Sequence, residues 1–142
     1  GTEDRIDRDG VDLAMVCLDG DNRKLEYIGA NMPIILMQND ELLIEKGSKS
    51  SLGVTDDFSS KHELVTLPYE EGDTLYMFSD GYQDQFGGEE NKKFMIRRLK
   101  NLIVRVYELP MREQEKVINL TIENWMMHAE QVDDILMYGV KL

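Results

Sequence analysis

The spacing of hydrophobic residues changes near residue 88 and divides the chain into a β-rich part and a helical part. Before that point, short apolar runs alternate with polar turn sequences, a pattern typical of antiparallel strands joined by hairpins. Residues 11–18 are almost continuously apolar, which predicts a strand covered on both faces. The sequence "DGDN" at 19–22 supplies the turn after it. Strands are therefore predicted within residues 11–79.

Beyond Gly88 the apolar residues recur at helical spacing. The first group is Met95, Leu99, Leu102, Ile103 and Val106, and the second, after Leu109-Pro110, is Val117, Leu120, Ile122, Trp125 and Met126. These groups predict helices over about residues 91–128, and residues 134–142 predict a final strand. Antiparallel strands, two consecutive helices and a last strand indicate an α+β fold in which helices cover a face of an antiparallel sheet.

Composition and charge narrow the function classes. The net charge of −12 repels phosphate backbones, so we expect no nucleic-acid partner. No apolar run approaches the roughly 20 residues of a membrane span, and the polar start resembles no targeting signal, so we expect no membrane contact. The single Cys17 lies in an apolar run, which predicts a buried thiol. Without a disulfide framework, a cytoplasmic location is favoured.

Two segments place carboxylates where a metal ion could bind. Asp80 ends the apolar strand at 74–79, and Gly81 allows the backbone to bend sharply after it. Asp133 and Asp134 open the final strand, where adjacent side chains point to opposite faces, so one of them can face the same edge as Asp80. Converging carboxylates repel unless a proton or cation lies between them, and Mg²⁺ or Mn²⁺ suits such oxygen ligands. An aspartate that bonds only local amides is the alternative.

Three segments resemble a known family. "GDTLYMFSDGYQDQFGG" at 72–88 is similar to the strand and "SDG" segment of bacterial metal-dependent serine/threonine phosphatases of the stage II sporulation protein E type (PPM-type). "VDDILMYGVKL" at 132–142 resembles the closing "DD" strand of that domain. "LEYIGANMPIILM" at 25–37 is similar to a segment that usually reads Ala-Gly-His-Pro-Pro, with Asn31 where His is common. The resemblance covers nearly the whole chain.

The resemblance implies a fold, a site and an activity. The fold would be an antiparallel β-sandwich flanked by helices (α-β-β-α), with a two-metal Mn²⁺ or Mg²⁺ site. Asp80 and Asp133 would be metal ligands, with Asp134, Asp84 and Gly81 supporting them and no other catalytic residue. The activity would be hydrolysis of phosphoserine or phosphothreonine by a metal-activated water. The substrate would be a bacterial regulatory protein such as an anti-sigma-factor antagonist, and a sensor domain would precede the phosphatase in the parent chain.

Family members also carry an earlier Asp-Gly pair and a Gly-His-Gly segment that this sequence lacks. The 142 residues are therefore expected to be the C-terminal portion of a single phosphatase domain. Alone, this portion should bind metal weakly, be inactive, and expose apolar surface that favours pairing with a second copy. The alternatives are a non-catalytic, degenerate phosphatase-fold module for partner binding or self-association, and an unrelated acidic metal-binding domain.

Two other charged segments are interpreted as structural. Asp19 and Asp21 have the opening spacing of a calcium loop, but Arg23 and Lys24 occupy positions that need an oxygen ligand and a glycine, so a turn is favoured. The first predicted helix region concentrates 6 of the 16 basic residues, namely Lys92, Lys93, Arg97, Arg98, Lys100 and Arg105. Such a run is typical of the solvated face of an amphipathic helix, although it could guide a phosphoprotein to the site.

Overall fold

The computed structural model describes residues 9–53 and 62–142. Within these ranges the strands are β1 (Leu13–Asp19), β2 (Lys24–Ala30), β3 (Ile34–Gln38), β4 (Glu41–Glu45), β5 (Val65–Pro68), β6 (Thr74–Phe78), β7 (Phe86–Gly87), β8 (Lys92–Lys93) and β9 (Met137–Lys141). The helices are α1 (Gly81–Asp84), α2 (Ile96–Val106) and α3 (Met111–Met126). All named strand pairs are antiparallel, which confirms the predicted α+β class. No helix in the described ranges has the length and apolar character needed to cross a membrane.

The chain divides into two compact units. The first comprises the described residues of Gly1–Pro33 and Lys46–Pro68, and the second comprises Ile34–Glu45 and Tyr69–Leu142. The first unit contains a three-stranded sheet in the order β1-β2-β5, and the second contains a four-stranded sheet in the order β4-β3-β6-β9. The strands β7 and β8 form a separate small hairpin. The second unit carries both acidic segments singled out in the sequence.

The turn between β1 and β2 is organised by Asp19. Its Oδ1 accepts hydrogen bonds from the backbone amides of Asp21 and Asn22, both at 3.1 Å, and its Oδ2 accepts one from Asn22 Nδ2 at 2.8 Å. These bonds, led by the one from the Asn22 side chain, lower the pKa of the Asp19 carboxyl. The carboxylate is therefore used within the turn, and the predicted turn is confirmed.

The predicted burial of residues 11–18 is wrong. The strand begins at Leu13, and the side chains of Met15 and Leu18 are 57% and 44% exposed. Cys17, predicted to be buried, is also exposed. The reason is that β1 lies at an edge of its sheet. An unbroken apolar run does not distinguish an edge strand from a central one.

In the second unit, β6 is a central strand and is buried, as its sequence predicts. It pairs with β3 on one side and β9 on the other, and Leu75, Tyr76 and Phe78 are at most 2% exposed. The β3–β4 hairpin turns at Asn39 and Asp40, whose φ angles of 47° and 62° are left-handed. Asn and Asp tolerate this conformation better than other non-glycine residues, which is why they close tight hairpins.

Helices α2 and α3 cover one face of this four-stranded sheet. Their buried apolar residues are Leu99, Leu102, Ile103, Val106, Ile118 and Ile122, and they join Ile35, Met37, Tyr76 and Phe78 of the sheet in one apolar cluster. Both helices lie within the predicted range of 91–128, and α3 begins directly after Pro110. Proline suits this position because it has no amide hydrogen to leave unpaired and its φ is already helical.

Three local features differ from the prediction. The final strand begins at Met137, so Asp133 and Asp134 lie in the loop before it. The single-turn helix α1 and the β7–β8 hairpin were not predicted. Two-residue strands and one helical turn are too short to leave a hydrophobic period in the sequence.

Candidate functional site

Asp80 lies where the central strand β6 gives way to α1. It precedes the first residue of α1, and its carbonyl oxygen accepts the amide of Asp84 at 2.9 Å. The residue itself is exposed, whereas Gly81 and Tyr82 beside it are buried. Because β6 is fixed by a neighbour on each side, the backbone that carries the Asp80 carboxylate is held in a defined place.

Ser79 joins the Asp80 segment to the loop that carries Asp133 and Asp134. Its hydroxyl donates to the carbonyl oxygen of Asp134 at 2.8 Å and accepts the amide of Leu136 at 2.9 Å. Its own amide donates to the carbonyl oxygen of Leu136 at 3.0 Å. These three bonds extend the β6–β9 pairing beyond the last strand residues. The structure thus brings the backbones of the two acidic segments together at one end of the sheet.

Gly81 packs directly against the second acidic segment. A Cβ atom at this position would lie 2.2 Å from the carbonyl oxygen of Asp134 and 2.8 Å from its carbonyl carbon. No real side chain tolerates such distances to backbone atoms. The sequence suggested that Gly81 permits a sharp bend, but the residue is helical, and the glycine is required by this close approach.

Asp133 and Asp134 are both exposed in their loop. Asp133 Oδ1 accepts the amide of Asp134 at 2.7 Å, and the carbonyl oxygen of Asp133 accepts Gln131 Nε2 at 2.9 Å. The predicted alternation of the two side chains across a strand does not apply, because neither residue belongs to β9. The loop's own hydrogen bonds place them instead. The roles of Asp80 and Asp133 as metal ligands stay predictions.

Asp84, expected to support the metal ligands, forms an ion pair with Lys93. The Lys93 Nζ lies 3.3 Å from Asp84 Oδ1, and the two side chains are 45% and 38% exposed. At this exposure the pair contributes little to stability, on the order of 0–1 kcal/mol. It links α1 to the β7–β8 hairpin.

Gln85 helps to join the two segments of the site, although the sequence did not single it out. Its side chain is fully buried, and its Nε2 donates to the carbonyl oxygens of Phe86 at 3.0 Å and Glu130 at 2.9 Å. The second bond ties the segment after Asp80 to the segment before Asp133. A glutamine directly after Asp84 is expected at the surface, and no hydrophobic period marks it as buried. Only the neighbouring Gly87-Gly88 hints at close packing.

Trp125, near the end of α3, forms hydrogen bonds with Gln85 and Gly88 of the segment that follows α1. Its Nε1 donates to the carbonyl oxygen of Gln85 at 3.0 Å, and its carbonyl oxygen accepts the amide of Gly88 at 2.8 Å. A Cβ on Gly87 would lie 1.9 Å from that carbonyl oxygen, so glycine is needed here. The Phe94 ring meets the Trp125 ring edge-on at 5.4 Å. The sequence "DQFGG" therefore anchors the chain after Asp80 to the helical layer.

The donor set at this end of the sheet fits part of a divalent cation site. Carboxylate oxygens are hard ligands, and Mg²⁺ commonly uses one or two of them and keeps several waters. Across residues 9–53 and 62–142, no three His, Cys, Asp or Glu side chains converge in a way that could hold a metal ion. The described residues therefore do not form a complete protein cage for a metal ion.

Comparisons with known proteins support the fold. The family model described as stage II sporulation protein E matches residues 2–142. The SiaA-PP2C domain of Pseudomonas aeruginosa is similar, with 26% identity and a TM-score of 0.85 over 92% of this chain and 51% of that one. A comparison with curated protein sequences finds no significant match.

Two further solved structures share the fold. The phosphatase domain of SpoIIE from Bacillus subtilis, presoaked with Mn, matches at 16% identity and a TM-score of 0.61, over 92% of this chain and 56% of that one. The serine/threonine phosphatase PstP/Ppp of Mycobacterium tuberculosis matches at 13% identity and a TM-score of 0.62, over 94% of this chain and 60% of that one. The chain thus spans about half the length of its structural relatives. The matches confirm the expected phosphatase-type α+β fold.

Proposed function

The chain belongs to the stage II sporulation protein E family, and we propose that it forms part of a Mn²⁺- or Mg²⁺-dependent protein serine/threonine phosphatase domain. The observation that carries the proposal is the junction at which Ser79 and Gly81 both pack on the backbone of Asp134. This junction supports a shared role for two carboxylates that are more than fifty residues apart in sequence. An isolated loop aspartate would need no such partner.

Asp80 and Asp133 would hold the metal, with Asp134, Asp84 and Gly81 supporting them. A divalent ion in this position supplies a water of lowered pKa and neutralises charge on a phosphoryl group. The chain's own contribution is to hold the backbone of Asp80, which follows the buried strand β6, beside the loop that carries Asp133 and Asp134. Because the two-metal route needs no covalent intermediate, the proposal assigns no nucleophilic side chain.

The proposed substrate is phosphoserine or phosphothreonine on a small bacterial regulatory protein, such as an anti-sigma-factor antagonist, in the cytoplasm. A sensor domain in the same gene product would control the activity. The exposure of Asp80, Asp133 and Asp134 supports a protein substrate, because the site lies where another protein surface can reach it.

Exposed apolar residues of β1, Met15 among them, support self-association, which sedimentation at increasing concentration would detect.

The test is phosphate release from a phosphoserine peptide by the full-length gene product, titrated with Mn²⁺. We expect metal-dependent release in the wild type and at least about a hundredfold loss in Asp80→Asn, because a charged ligand becomes neutral. Asp21→Asn, which changes an exposed aspartate of the β1–β2 turn, is the matched control and should keep full activity. Equal activity in wild type and Asp80→Asn would refute the proposal.

A non-catalytic, degenerate module is the second candidate. It is favoured by one observation, that no three-ligand group exists among the residues the structure describes. It predicts no Mn²⁺-dependent phosphate release from the full-length product, with or without Asp80. An unrelated acidic metal-binding domain would differ again, since Mn²⁺ would raise its melting temperature without any hydrolysis.

A further inference from the structure

Positive charge is segregated in this molecule. Residues 91–107 contain six basic residues and no acidic one. The whole chain carries a net charge of −12, so everything outside this segment carries −18. A positively charged segment on so acidic a molecule attracts negatively charged groups.

Half of these cations are already engaged. Lys92 forms an ion pair with Glu90, and Lys93 forms one with Asp84. Arg98 stacks on the ring of Trp125 at 4.6 Å and donates to the carbonyl oxygen of Phe94 at 3.0 Å. The other three, Arg97, Lys100 and Arg105, have no ion-pair partner within the described part of the chain. Arg97 and Arg105 are exposed and Lys100 is half-buried; we refer to these three as the basic strip.

The basic strip lies on a fixed surface. Its helix, α2, is anchored by Leu99 and Ile103, which are fully buried in the core. The strip residues extend along α2 from its first turn to its last. Because the backbone of the strip is already held in place, binding of a partner orders only its side chains.

The strip also begins close to the candidate site. Just before α2, the amide of Phe94 donates to the carbonyl oxygen of Gln85 at 2.9 Å, and the amide of Met95 donates to that of Gln83 at 2.7 Å. These bonds join the start of α2 to α1, the helix that follows Asp80 directly. A protein bound at the acidic end of the sheet would therefore have the start of the strip within reach.

We propose that the basic strip, Arg97, Lys100 and Arg105, docks an acidic surface that flanks the phosphorylated residue of a protein substrate. The inference rests on the proposed phosphatase function for the identity of that partner. A compact acidic protein surface fits because the strip is small and the molecule around it is negative. An anionic bilayer or a nucleic acid would extend beyond the strip and meet the −18 carried by the rest of the chain.

The test measures binding rather than turnover. Fluorescein-labelled phosphoserine peptides, flanked by glutamates or by glutamines, are titrated with the chain in EDTA, and fluorescence anisotropy gives the affinity. We expect tighter binding of the glutamate-flanked peptide, and about tenfold weaker binding of it after Arg97→Gln, Lys100→Gln and Arg105→Gln together, since each exposed pair contributes modestly. High salt should abolish the difference.

Two controls make the outcome decisive. Replacing the exposed Lys24, Lys46 and Lys49 by glutamine removes the same charge elsewhere and should leave the preference for glutamates unchanged. Arg97→Lys with Arg105→Lys keeps the charge and should retain binding. Equal affinity for both peptides, an equal loss in the lysine control, or tighter binding to phosphatidylserine vesicles would each overturn the proposal. Because no metal is present, failure here is distinct from failure of Mn²⁺-dependent hydrolysis.

Discussion

At the scale of single residues, the candidate site is defined by close backbone approaches more than by its charged groups. Gly81 and Gly87 each lie where a Cβ would overlap a carbonyl oxygen, of Asp134 and Trp125 respectively. Neither glycine has a left-handed φ, so conformational freedom is not the reason for either. Sequence patterns that treat glycine as a turn signal therefore misread both positions.

Gly81→Ala tests this steric account. The new methyl group would overlap the backbone of Asp134, so the loop must move, and we expect the free energy of unfolding to fall by about 1–3 kcal/mol in urea titrations. Gly20→Ala is the matched control, because a Cβ there meets nothing within 4 Å, and its effect should be close to zero. Equal stability of Gly81→Ala and wild type would contradict the observed contact.

Tyr107 predicts a response to alkaline pH. Its hydroxyl donates to Asp40 Oδ1 at 2.5 Å, and chiefly this bond raises the pKa of Tyr107 to about 12. Stability from the protonated phenol is complete below the unfolded pKa of about 10 and is lost as the pH rises through the folded value. Tyr107→Phe should therefore lose less stability than wild type between about pH 10 and pH 12, measured by urea midpoints. Parallel losses would show that the bond has no such effect.

At the scale of elements, the two acidic segments are joined by two separate ties. Ser79 connects the end of β6 to the residues before β9, and Gln85 connects the residues after α1 to Glu130. Trp125, near the end of α3, then donates a hydrogen bond from its Nε1 to the carbonyl oxygen of Gln85. A single-turn helix such as α1 could not hold its orientation alone, because it forms too few internal hydrogen bonds.

Gln85→Leu tests the second tie. Leucine keeps a similar volume but leaves the carbonyl oxygens of Phe86 and Glu130 without their donor, which should cost about 1–3 kcal/mol of unfolding free energy. Gln83→Leu is the comparison, because Gln83 lies two residues earlier and its side chain donates no such bonds among the described residues. Indistinguishable unfolding free energies for the two variants would argue against the tie.

At the scale of the whole molecule, the sequence predicts the types of the elements and their succession well. It predicts poorly where each element lies in the fold. The turn at Asp19, the buried strand β6 and the amphipathic helix α2 each follow from local chemistry. The exposure of β1 does not, because an edge position depends on which strands pair. The bonds of Gln85 reach a residue 45 positions away, which no local pattern records.

The distribution of charged residues over the molecule is also known only once the fold is known. The sequence favoured a solvated face for the basic helix. The structure adds which cations are engaged and which are left on α2, beside the segment that follows Asp80. The proposed docking surface thus depends on where the basic residues lie in the fold, which the composition does not record.

The central claim, that Asp80 and Asp133 share one cation, is tested most directly by Mn²⁺ binding. Free Mn²⁺ is followed by electron paramagnetic resonance as the chain is added, for wild type, Asp80→Asn, Asp133→Asn and the double variant. We expect weak binding that each single change reduces by at least about tenfold and the double change reduces little further, because both carboxylates act on one ion. Unchanged affinity in either single variant, or losses that simply add, would contradict the account.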